Sequence, residues 1–82
     1  MSDAIFVEAR VAHDGSLHPR AFVWRERRYA VASVGRRWTD AGEAHMLVMA
    51  EGGGTFELAF KPDSGVWRLV RTPKELGPHP TA

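Results

Sequence analysis

Six arginines fall within one stretch of this 82-residue chain: Arg20, Arg25, Arg27, Arg28, Arg36 and Arg37, with Glu26 the one acid among them. The guanidinium group is planar, always charged and shaped to contact phosphate or carboxylate. Aromatic side chains interleave with the arginines at Trp24, Tyr29 and Trp38. Small barrels bind single-stranded nucleic acid by pairing a positive groove with aromatic rings on which bases stack. The chemistry within reach is therefore recognition of single-stranded DNA or RNA, with Arg20, Arg25, Arg27, Arg28, Arg36, Arg37 and Trp38 as candidate binding residues. Trp24 and Tyr29 alternate onto the side of the chain expected to face the core, which leaves Trp38 as the free stacking platform. Against this stands a plainer role, because arginines at a hairpin tip also protect sheet edges and keep a surface soluble.

Catalysis finds less support. Ser2, Ser16, Ser33 and Ser64 lack the Gly-x-Ser-x-Gly context of a nucleophile elbow, and no cysteine is present to replace them. His13, His18, His45 and His79 form neither an H-x-H nor an HExxH spacing. His13 and His18 flank Asp14, a weak metal-binding set. His45 lies on a position expected to face apolar neighbours. Gly52-Gly53-Gly54 is not followed by the Lys-Ser/Thr pair of a phosphate-binding loop. The expectation is a protein that is not an enzyme and holds no metal or cofactor. The lack of cysteine also excludes disulfides. Residues 1–10 show no charged-then-apolar leader, and apolar runs fall far short of the ~20 residues of a membrane helix, so a cytoplasmic location without membrane contact is expected. A net charge of +1 with 44% hydrophobic residues fits one ordinary globular domain.

The elements that must carry these residues read as strands. Ile5, Val7, Ala9 and Val11 alternate with their neighbours at strand period, and Asp14-Gly15 signals a turn. Residues 21–25 and 28–34 form a hairpin if Glu26-Arg27 is its turn, which sets Arg25 against Arg28, Trp24 against Tyr29 and Phe22 against Val31. Gly35-Arg36-Arg37 ends that strand, Trp38 opens a connection, and residues 39–43 read as a turn or one helical turn. A second hairpin spans residues 45–50 and 55–60 around residues 51–54. It sets Met49 against Phe56, Leu47 against Leu58, and His45 against Phe60. Pro62-Asp63-Ser64-Gly65 turns the chain into residues 66–71, where Phe60 meets Trp67, Leu58 meets Leu69 and Glu57 lies diagonal to Arg68. The proline-rich residues 73–82 read as a disordered tail. The expected fold is all-β: one small domain over residues 4–72, a five-stranded antiparallel meander forming a bent sheet or small SH3-like barrel. Its expected core is Val7, Phe22, Trp24, Tyr29, Val31, Leu47, Met49, Phe56, Leu58, Trp67 and Leu69.

One pattern runs through these elements. Pro19-x-x-Phe22-x-Trp24-x-x-Arg27-Arg28-Tyr29-x-Val31 leads to Trp38, then His45-x-Leu47-Val48, Phe56-Glu57-Leu58 and Gly65-Val66-Trp67-Arg68-Leu69. It resembles a small bacterial β-domain family of unknown function, the DUF6504-like domains, which occur alone or near the end of inactive Y-family-polymerase-like proteins. The resemblance covers about residues 6–71 and rests mostly on aromatics, Gly and Pro. It implies a β fold and an accessory role, docking to DNA-repair or replication proteins, and carries over no catalytic residue. A docking module fits the strand pattern too. An open meander leaves residues 5–11 and 66–71 as edge strands, which can accept a partner's strand or a second copy of the chain.

Overall fold

In a computed structural model that describes residues 3–76, the alternating segments become six antiparallel strands. They are β1 (Asp3–Val11), β2 (Leu17–Trp24), β3 (Arg27–Asp40), β4 (Glu43–Ala50), β5 (Thr55–Lys61) and β6 (Val66–Arg71), followed by the helical turn α1 (Pro73–Leu76). The strands close in chain order into a barrel, with β6 returning to β1. The all-β small barrel is as expected, but its strands number six rather than five. The expected break at Gly35–Trp38 does not occur. β3 runs unbroken for 14 residues, pairs first with β2 and then with β4, and bends at irregularities between Val31 and Ser33 and between Val34 and Arg37. Bulges of this kind add local twist, so one strand can serve both halves of a barrel.

The first hairpin turns at Arg25-Glu26 rather than at Glu26-Arg27. Both residues have positive φ, 52° and 63°. Two left-handed central residues make a type I′ turn, whose twist matches that of the flanking strands. Trp24 therefore faces Arg27, Val23 faces Arg28 and Phe22 faces Tyr29. The offset from the expected pairing is an even number of residues, so each side chain keeps its expected face. The strained turn is held by what it aligns: the Phe22 and Tyr29 rings stack at 5.1 Å with an interplanar angle of 11°.

The second hairpin differs by an odd step. Met49 pairs with Thr55, Val48 with Phe56, Met46 with Leu58 and Ala44 with Phe60. The loop is one residue longer than expected, because Ala50 leaves the ladder to bond with the loop itself: its N–H donates to Gly54 O at 3.0 Å and its carbonyl accepts from Gly53 N at 3.0 Å. Gly52, Gly53 and Gly54 all take positive φ, which lets the loop close this way. A one-residue slip exchanges the two faces of a strand. Met46, Val48 and Ala50 thus enter the central cluster, and Leu47 and Met49 take the opposite face, where Leu47 is still buried, as expected, and Met49 is only half-buried. The third hairpin matches expectation, with Phe60 opposite Trp67 and Leu58 opposite Leu69.

Phe22, Met46, Val48, Phe56, Leu58, Trp67 and Leu69 form the buried centre, and Val7, Trp24, Tyr29 and Val31 pack around it half-buried. Phe56 joins the sheets: its ring lies 5.0 Å from Phe22, 5.1 Å from Tyr29 and 6.2 Å from Trp24. After β6, Thr72 N donates to Glu75 Oε1 at 2.8 Å and Thr72 O accepts from Leu76 N, which is capping-box chemistry with Pro73 at the first helical position. Part of the expected tail is therefore ordered as α1. A Cβ on Gly54 would lie 3.0 Å from Pro73 Cγ, so the glycine loop and α1 meet there. Residues 77–82, the remainder of that expected tail, lie outside the described residues.

Left-handed conformations cost a residue with a side chain more than they cost glycine. Replacing Glu26 with Gly is therefore expected to raise unfolding stability by about 1 kcal/mol. Urea titration should show a higher midpoint with an unchanged slope; a lowered midpoint would contradict the type I′ assignment.

Candidate functional site

The candidate arginines are dispersed along β2 and β3 rather than gathered on one face. Arg25 lies within the β2–β3 turn and Arg27 opens β3 just after it. The Arg25 guanidinium lies over the Trp24 ring at 4.6 Å and that of Arg27 over Tyr29 at 5.2 Å. Arg28 points outward to Glu8, with Nε donating to Oε2 at 3.0 Å and Nη2 to Oε1 at 3.2 Å. Arg20 is the extra residue of a bulge, since Ala21 pairs with Glu8 and Pro19 with Ala9. It is exposed beside Arg10, Arg28, Glu8 and Glu51 on a shallow groove of about 640 Å³. Arg36 and Arg37 sit in the other half of β3. Arg36 lies over the Trp38 ring at 5.4 Å, and Arg37 Nη1 donates to Leu17 O at 2.9 Å, closing a gap where β2 and β3 no longer pair. Trp38 is half-buried and stacks on His45 at 5.4 Å and 16°. The turn arginines and Trp38 therefore belong to different ends of β3.

What the structure does bring together is a polar cluster on the outer wall, created by the register of β4. His45 and Glu57 both point outward from adjacent strands, yet they are only 8% and 3% exposed. His45 Nδ1 lies 2.8 Å from Glu57 Oε2. A carboxylate only accepts, so Nδ1 carries the proton. Arg71 Nε donates to the other Glu57 oxygen, and Arg68 clasps Glu43 with Nε and Nη2. His45 Nε2 stands 3.9 Å from Glu43 Oε1, and Trp38 covers the imidazole face. Glu57 lies diagonal to Arg68 as expected and interacts with it electrostatically, while its hydrogen bonds go to Arg71 and His45 and those of Arg68 to Glu43. His45 does not pack against Phe60 in the core; its facing residue in β5 is Ala59. The overlooked signal was Glu43, two residues before His45 and hence on the same face of a strand.

His13 and His18 do not form a metal site with Asp14. Asp14 Oδ1 accepts from Ser16 N at 2.9 Å and Ser16 Oγ at 2.6 Å, and Ser16 Oγ bridges to His18 Nε2 at 3.0 Å. Among the described residues no group of three His, Asp or Glu is arranged to hold a metal ion, and no helix is long and apolar enough to cross a membrane. Each end of the barrel holds a recess. One, of about 480 Å³, is bounded by Leu17, Trp38, His45 and Phe60; the other, of about 560 Å³, lies between the β2–β3 turn and α1.

Breaking a buried charge pair from one side leaves the other charge without a partner. Glu57→Ala is expected to cost about 1–3 kcal/mol in urea unfolding, because the buried His45 loses its acceptor while the half-exposed Arg71 turns to water. Glu8→Ala at the exposed Arg28 pair should leave the midpoint nearly unchanged. Equal losses in the two variants would contradict a buried role for Glu57. The acids also predict a pH dependence. The hydrogen bond from Arg68 holds the Glu43 carboxyl below the ordinary 4.5, and that from Arg28 does the same for Glu8. Such groups are more acidic when folded, so their stabilisation is complete above the unfolded value and is lost as pH falls through about 4.5 and below. Thermal midpoints measured from pH 7 to 3 should fall on the acid side, and Glu43→Gln should flatten that fall.

No curated protein and no solved structure matches the chain. A family model does match residues 1–74, nearly the whole length and every strand of the barrel. The chain therefore belongs to the family described as Domain of unknown function (DUF6504).

Proposed function

We propose that this barrel is a non-catalytic accessory module that docks onto DNA-repair or replication proteins by accepting an extended segment of its partner alongside β1. The support lies in β1 itself. β6 pairs only with residues 3–5, so residues 6–11 are paired on the β2 side alone. The same segment leaves Phe6 66% and Val11 65% exposed. Unpaired backbone groups beside exposed apolar side chains are the template for strand addition: the backbone supplies affinity and the side chains specificity. Resemblance to domains near the end of inactive Y-family-polymerase-like proteins favours a partner in repair or replication, and a cytoplasmic setting follows from such a partner.

Nucleic-acid binding is the weaker alternative. Arg28 and Arg37 would have to give up Glu8 and the Leu17 carbonyl, and the rings of Trp24, Tyr29 and Trp38 already lie under guanidinium groups.

A photo-crosslinking amino acid at position 6 tests the proposal inside cells, with the same group at Lys61, exposed at the end of β5, as control. Adducts with repair or replication proteins are expected from position 6 only, and excess unlabelled protein should suppress them unless it carries Phe6→Asp. Identical adducts from both positions, or none from position 6, would overturn it. Salt-sensitive retention of single-stranded DNA, lost when Arg25, Arg27 and Arg28 are reversed to Glu, would favour the alternative instead.

A further inference from the structure

All three large apolar side chains that stand exposed among the described residues lie along one edge of the barrel. Phe6 and Val11 belong to β1, and Val66 opens β6 level with Phe6, since the next residue, Trp67, pairs with Ile5. From Val7 to Val11 the strand pairs with β2 alone. Val7 packs on the core, so the odd-numbered residues of this stretch face inward while Glu8 and Arg10 face out. The Arg10 guanidinium makes no hydrogen bond or ion pair among the described residues. Glu8 holds Arg28 through one N–H to each oxygen, and a carboxylate has about four acceptor sites, so it can take a second cation.

A second copy of β1 fits such an edge in one register. Two identical antiparallel strands in one sheet are related by a two-fold axis normal to it, so the axis stands between two copies of the same residue. With Glu8 opposite Glu8, or Arg10 opposite Arg10, like charges meet at the centre. With Val7 opposite Val7, residues 9–11 would need the places beside residues 3–5, which β6 already holds. With Val11 opposite Val11, only the end of the strand overlaps. Ala9 opposite Ala9 has none of these faults. Each Glu8 then faces Arg10 of the other copy, and each Val7 faces Val11. The overlap fills the free stretch from Val7 to Val11 and stops there, because Ala12 has already left for its turn, its N–H bonded to Ser16 O.

We infer that the chain forms a symmetric dimer in which two β1 strands pair antiparallel about Ala9. The inter-chain backbone bonds complete the open side of β1. Two Glu8–Arg10 pairs engage the arginine that lacks a partner, and Val11 gains an apolar neighbour across the axis. So short an interface is smaller than that of a permanent dimer, and association is accordingly weak, with a Kd of about 100 µM. Docking along β1 uses the same edge, so a second copy and a partner's segment exclude one another, and self-pairing covers the edge when no partner is present. The dimer rests on the free edge and its charges and needs no such partner.

Sedimentation equilibrium of the purified chain should give the monomer mass at about 10 µM and a mass approaching the dimer at about 1 mM. Arg10→Glu sets acid against acid at both pairs, and Glu8→Arg sets base against base, so each variant alone should associate about tenfold more weakly. An equimolar mixture of the two should associate like the unaltered chain, because every facing pair is again of opposite charge; that recovery also shows that both variants fold. The register has its own test, since the chain has no cysteine. Ala9→Cys should give a disulfide-linked dimer under mild oxidation, and Val11→Cys should not. A monomer mass at 1 mM, unweakened association of either variant, no association in their mixture, or a disulfide formed as readily from position 11 as from position 9 would overturn the dimer. These measurements use the chain alone, so their failure leaves docking to a partner standing, and missing adducts from position 6 leave the dimer standing.

Discussion

Three glycines in left-handed conformation decide which side of β4 faces the core. With Gly52, Gly53 and Gly54 all at positive φ, the loop can fold back on Ala50 and take its N–H and carbonyl out of the ladder. β4 then meets β5 one residue out of the phase a four-residue loop would impose. Met46 and Val48 fill the interior, among the most deeply buried side chains present, and the odd-numbered residues turn outward. No lesser change would serve, because strand faces alternate strictly and a slip of one residue moves every side chain together. The close approach of Pro73 to Gly54 ties α1 to the same loop, so the end of the domain depends on the same backbone.

The outer wall follows from this choice. Turning His45 outward places it beside Glu57, which points outward in either register. An imidazole and a carboxylate on the open face of a sheet would ordinarily be solvated. Here Trp38 covers the imidazole while Arg68 and Arg71 fold across the carboxylates, so His45 and Glu57 are nearly as closed to water as the core. Trp38 can do this only because β3 continues past Gly35 to pair with β4. The long bent strand, the slipped hairpin and the buried charge cluster therefore stand or fall together. Burying ions is costly, and such clusters contribute more by demanding one arrangement than by net stabilisation. For this wall, a one-residue slip of β4 would take His45 away from Glu57.

Alternation was enough to read the strands, the third hairpin and most of the core, because period 2 survives any shift by an even number of residues. The first hairpin shows this well: its turn lay one position earlier than expected, yet Phe22, Trp24 and Tyr29 kept their side. The second hairpin failed for the opposite reason. Both faces of residues 44–50 are apolar enough to be buried, so Leu47 and Met49 looked as suitable for the core as Met46 and Val48. Only the loop could discriminate between them, and three glycines permit too many loop conformations to reveal its length. The continuation of β3 was hidden by Gly35 and two arginines, residues that usually end a strand and here mark its bulge. Capping at Thr72, Pro73 and Glu75 was legible as a motif but was masked by the prolines that follow.

The arginines show how the same chemistry can serve inside a molecule or outside it. A guanidinium that lies over an aromatic ring has already satisfied part of what would draw it to a nucleobase. Three of the candidate arginines do this, and two more are bonded to Glu8 and to the Leu17 carbonyl. Sequence could place these groups near one another but could not say whether they would meet a ligand or each other. The difference is geometric. Arg27 and Arg36 cover rings along β3, where cover is stabilising in itself. Arg25 covers a ring whose own N–H is buried without a partner, on a turn of two left-handed residues. Of the six arginines singled out by the sequence, five are therefore held by contacts within the barrel, and the basic stretch does not present them as one free cationic face.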